Sequence, residues 1–174
     1  MALSPTHRRL LQAQALGGLV LNIPLNGAAA WLGFPPVERL PLWAKANCVA
    51  FDTLGTSFFL PLVTCLVLTS LQRRSLRAGA LDPLPRAALP ALVRFWPANI
   101  VGRGALVGLL SMLTVAAATL AALTAAGVEG MSRGENVLYK AVYTAVLGMM
   151  VTPLFGWRGL ADVEPSRPPL ELVK

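Results

Sequence analysis

The chain has one histidine, His7, and it sits close to the N-terminus. With no histidine inside the apolar segments, neither a bis-histidine haem pair nor a Cys/His zinc site can be assembled there, and a Ser-His-Asp triad lacks its base. The two cysteines, Cys48 and Cys65, are seventeen residues apart in sequence. On one helix that separation is about 25 Å, far beyond disulfide reach. No glycine-rich phosphate loop follows a strand, and no convincing strand is present for one to follow. Charge is scarce as well. Asp, Glu, Lys and Arg make up 13% of the residues against a hydrophobic share of 55%, and mean hydropathy is +0.62. A soluble globular domain carries about a quarter charged residues, so the composition points to lipid as the solvent.

What the sequence does have is four apolar runs of the roughly 20 residues that a spanning helix needs. They cover 10–34, 48–71, 104–128 and 137–157. The expectation is an all-α integral membrane protein of the multi-pass kind, a four-transmembrane-helix bundle occupying 1–163, with 164–174 as a disordered cytoplasmic tail rich in proline. The opening segment reads as a full span rather than a cleaved signal, because Gln12 and Gln14 weaken a signal-like core and the run continues through Trp31.

The fifteen Lys and Arg set an orientation, since cytoplasmic loops carry the excess. With both termini inside (N-in/C-in), Arg8, Arg9, Arg73, Arg74, Arg77, Arg86, Arg94, Arg103, Arg158, Arg167 and Lys174 are cytoplasmic. Arg39, Lys45 and Arg133 lie outside, and Lys140 falls within the fourth span. All four tryptophans, Trp31, Trp43, Trp96 and Trp157, then land at a membrane boundary, where an amphipathic ring is favoured. The +7 net charge accordingly reads as topology and attraction to anionic lipid head groups, not as a nucleic-acid surface. A cell (inner) membrane is the expected location. Between the second and third spans, Asp82 and Pro83 offer a helix start, and Leu84, Ala87, Ala88, Ala91 and Phe95 recur at helical spacing. These predict a short amphipathic interfacial helix, with Pro90 able to bend or break it.

Three sets of residues stand out inside the spans. Gln14, Gly18, Asn22 and Asn26 recur every fourth residue and so share one face of the first helix, which Pro24 can bend. Such a face requires partners or water, so it predicts either helix-to-helix amide bonds or the lining of a polar path. Gly104, Gly108 and Ser111, continued by Ala118 and Ala122, form a small-residue stripe suited to close helix packing. Asp52 and Lys140 lie at matching depths below the outer ends of their helices, with Tyr143 and Thr144 nearby, and predict an ion pair between the second and fourth spans. The two helical hairpins share orientation and length, which allows an internal repeat with Asn47 and Asn136 as its best match.

These features imply a non-enzymatic protein that needs no cofactor or metal. The leading expectation is passage of an ion or small polar solute by a homo-oligomer. The second is an accessory or assembly subunit of a larger membrane complex. An intramembrane lipid-modifying enzyme comes last.

Overall fold

The computed structural model describes residues 4–162. The tail expected at 164–174 lies outside the described residues. Four helices are long and apolar enough to cross a membrane: α1 (Pro5–Gly33), α2 (Val49–Arg77), a third span running Ile100–Ala125, and a final helix, Arg133–Leu160. Each starts where local chemistry provides a cap. Ser4 accepts from the His7 N–H ahead of α1, with Pro5 in the first turn, and Cys48 Sγ accepts from the Phe51 N–H ahead of α2. Asn99 Oδ1 accepts from the Val101 N–H, and Ser132 with Glu135 forms a reciprocal capping box. Gly79 and Gly127, both at positive φ, stand just beyond the C-terminal ends of the second and third spans.

The stretch between α2 and the third span, expected as a short helix that Pro90 could bend or break, is broken at Pro90. It forms a 3-10 turn at Arg86–Ala88 and a single helical turn, α3 (Ala91–Arg94), with Pro90 between them. Asp82 caps no helix. The segment is held instead by long-range bonds: the Leu84 N–H donates to the Leu160 carbonyl at 2.9 Å, and His7 Nε2 lies 3.0 Å from the Asp82 carbonyl oxygen. Leu84, Leu89 and Val93 are buried against Leu76 and Leu160, whereas Ala87, Ala91 and Phe95 are exposed. The strap therefore closes one end of the bundle with Leu84, Leu89 and Val93, of which only Leu84 belongs to the predicted stripe.

The third span is α4 (Ile100–Ser111), a π-helical segment (Met112–Ala116) and α5 (Ala117–Ala125). Its buried positions step from Gly104 to Gly108 to Ser111, then jump five residues to Ala116 and on to Leu120. The wider turn rotates the following face, so Ala118 and Ala122 end up exposed rather than on the small-residue stripe. Gly104 lies against Leu62 and Cys65, and a Cβ at Gly108 would come within 2.5 Å of the Phe58 carbonyl oxygen. This stripe seats α4 on α2.

The last helix, α6 (Arg133–Leu160), is the most buried of the four. It packs against α1 on one side and α2 on the other, and α2 in turn carries α4. The spatial order is therefore α1, α6, α2, α4, and each hairpin is split by a helix of the other. Gly18 and Gly148 make the α1–α6 contact possible, since a Cβ at either glycine would lie 2.8 Å from the other's carbonyl oxygen. At the far end the connecting loops pair through a short antiparallel bridge that the sequence reading did not anticipate, β1 (Leu40–Pro41) with β2 (Gly130–Met131). Arg133 adds a clamp there, donating to the Trp31 carbonyl at 2.6 Å with its guanidinium 3.8 Å above the indole ring.

Candidate functional site

Because α1 leans on α6 and almost not at all on α2, a groove of about 950 Å³ opens between α1 and α2. It extends from Asn47, Cys48 and Asp52 at the end with the β1–β2 bridge to Gln14 and Leu71 towards the end closed by the strap. Gly18, Asn22 and Asn26 line the α1 wall, Asp52, Gly55, Thr56 and Thr64 the α2 wall, and Thr152 comes from α6. Leu21, Leu25, Phe51, Phe59, Val63 and Val67 line it too, and all six are exposed. The site is thus a mainly apolar cleft holding a few convergent polar groups, the usual make-up of a small-molecule site.

The two asparagines behave differently from the cross-helix amide bonds considered above. Asn22 Nδ2 donates to the Gly18 carbonyl of its own helix at 2.5 Å, and Asn26 Nδ2 donates to Asn22 Oδ1 at 3.0 Å and to its carbonyl at 3.2 Å. The amides form a ladder along α1 because the four-residue spacing puts each one over the carbonyl of the preceding turn. Contact with α6 is by packing: the Asn22 amide lies against Gly148, and Thr144 Oγ1 reaches the Asn22 carbonyl at 3.5 Å. Both asparagines are half-buried. Gln14 is placed one turn before Gly18, its Oε1 buried against Gly156 without a hydrogen-bond donor.

Across the groove, Lys140 Nζ of α6 is paired with the Asp52 carboxylate and also donates to Thr56 Oγ1 at 2.6 Å. The lysine side chain is 9% exposed and the aspartate 45%, so the carboxylate faces the groove and the ammonium sits behind it. The neighbours complete a polar seam between α2 and α6. Thr53 Oγ1 donates to the Val49 carbonyl and Ser57 Oγ to the Thr53 carbonyl, which leaves Tyr139 and Tyr143 to donate to those hydroxyls at 2.8 and 2.5 Å. Tyr143 therefore serves Ser57 rather than the ion pair, while Thr144 donates to the Lys140 carbonyl at 2.8 Å. The hydroxyls of Thr53, Ser57, Tyr139, Tyr143 and Thr144 are each committed to one of these bonds.

A second polar cluster, missed from the sequence, closes the opposite end. Asp162, with a side chain 2% exposed, receives Arg73 at 3.0 Å, Arg158 at 2.6 Å and Arg103 through two bonds of 3.1 and 2.9 Å. Arg103 is fully buried and also donates to the carbonyls of Pro97 and Ala98. It had been read only as a loop charge setting topology. The signal was the four-residue spacing of Arg158 and Asp162, which puts both on one helical face. Among the described residues, no group of three or more His, Cys, Asp and Glu side chains is placed to hold a metal ion. Comparison with protein-family models, with curated proteins and with solved structures finds no match.

Proposed function

We propose that the α1/α2 groove is a route for an ion or small polar solute, completed when a second copy of the chain covers its open side. The observation that supports this is the groove itself, with amides and hydroxyls along its length and a carboxylate near one end. In a single copy those groups face acyl chains, and a solute without its own apolar shield has no reason to enter. A two-fold contact between the open faces would join two half-paths into one enclosed path. The charge bias of the loops supports both termini on the cytoplasmic side, with Asp52 near the outer mouth. An accessory role is the second reading, supported by the many exposed apolar side chains of α1, among them Leu16, Val20, Leu21 and Leu25. In that case a helix of a larger complex fills the groove.

Proteoliposome flux with a panel of monovalent ions and small uncharged solutes separates the two. Passage predicts flux that falls at least about tenfold in Gly55→Trp, which plugs the groove from a position whose Cβ meets nothing within 4 Å. Absence of flux for every solute, together with a monomeric mass in mild detergent, overturns the passage reading.

A further inference from the structure

We infer that the protein holds the phosphate of an anionic phospholipid in a pocket on α2 beside the inner end of the groove. The pocket, about 570 Å³, is lined by Ser70, Arg73, Arg74 and Arg77 at its polar end and by Leu66, Val67, Leu71 and Ile100 along its apolar side. Among the described residues no carboxylate lines it. Arg74 and Arg77 make no ion pair among the described residues, and Arg73 is held in place by Asp162. Asp162 cannot neutralise the region, because three guanidinium groups already converge on that one carboxylate and Arg158 Nε has no acceptor among the described residues. An excess of positive charge next to an apolar channel matches a ligand with a phosphate at one end and acyl chains at the other. Guanidinium groups recognise phosphate in a fork geometry, and basic pockets flanking membrane helices capture anionic head groups. Val67 and Leu71 border both the pocket and the groove. The lipid site does not depend on the groove carrying a solute.

The test is native mass spectrometry of the full chain released from mixed phosphatidylglycerol and phosphatidylcholine bilayers, counting each lipid retained. The wild type should keep phosphatidylglycerol in preference to phosphatidylcholine. Arg74→Gln with Arg77→Gln should lower that retention about tenfold or more, with helix content unchanged. A charge-matched control, Arg8→Gln with Arg9→Gln at exposed positions of α1, should retain as much lipid as the wild type. Equal losses in the control would overturn the site in favour of diffuse surface attraction. Equal retention of both lipids would overturn it too. A third arm adds inorganic phosphate alone: full displacement of phosphatidylglycerol would assign the pocket to free phosphate and overturn the lipid.

Discussion

Lys140 and Asp52 share a bond unequally, and the difference sets what each substitution does. Asp52→Ala strands an ammonium that is almost wholly buried, with Thr56 as its remaining side-chain partner, and should cost about 2 to 4 kcal/mol of stability. Lys140→Ala leaves a carboxylate that the groove can hydrate and should cost less, about 1 to 2 kcal/mol. Thermal unfolding of both single variants and the double variant checks this, because the double loss should fall well short of the sum. Additive losses would show that the two side chains do not interact. Matching depth in two apolar runs was enough to place this pair from the sequence, since charges within spans have few affordable neighbours. The Asp162 cluster was not legible in the same way. Arg103 and Arg158 stand near span ends, where an arginine is ordinary, and only the fold brings α2, α4 and α6 together around one carboxylate.

At the scale of the helix, the contact between α1 and α6 depends on two glycines that any larger residue would force apart. Gly148→Val should move α1 off α6, because its Cβ would collide with the Asn22 amide and come 2.8 Å from the Gly18 carbonyl oxygen. Gly17→Val on the adjacent position has nothing within 4 Å and should cost no stability, since valine is no worse a helix former than glycine. Cross-linking between cysteines introduced on α1 and α6 reads the outcome: yield should collapse in Gly148→Val and persist in Gly17→Val. The number of spans followed from length and apolarity, which lipid dictates directly. The helices run past the apolar runs, starting at Pro5, Ile100 and Arg133 rather than at 10, 104 and 137 and ending at Arg77 rather than at 71, because caps and not hydropathy set their ends. The π segment at Met112–Ala116 had no such signal. It arises from fitting the third span to α2, and it redirected the buried face from Ala118 and Ala122 to Ala116 and Leu120. The expected interfacial helix is reduced to two separate turns for a related reason. Its periodicity was real, but Pro90 and the bonds from Leu84 and Asp82 gave the backbone better partners than a continuous helix offered.

Taken whole, the molecule presents the paired loops of β1 and β2 at one end and the strap between α2 and α4 at the other. Single cysteines at Glu129 and Ala80, both exposed, should react with an impermeant thiol reagent from opposite faces of intact cells when Cys48 and Cys65 are replaced. Labelling of both from one face would reject a transmembrane arrangement with an odd number of crossings between them. The four spans were readable in the sequence, but their order in space was not, because hydropathy says which segments enter lipid and nothing about which neighbours they choose. That order has a consequence for how the protein is made. The first helix to leave the ribosome packs on the last, so α1 must wait in the bilayer, its Gly18 face and the amide ladder beside it uncovered, until α6 has been synthesised. A chain stopped after α2 leaves that ladder against lipid or the insertion machinery, and the cell's membrane proteases meet it first. Ribosome-stalled intermediates should therefore remain protease-sensitive in α1 until α6 clears the exit tunnel, and then become protected in a single late step.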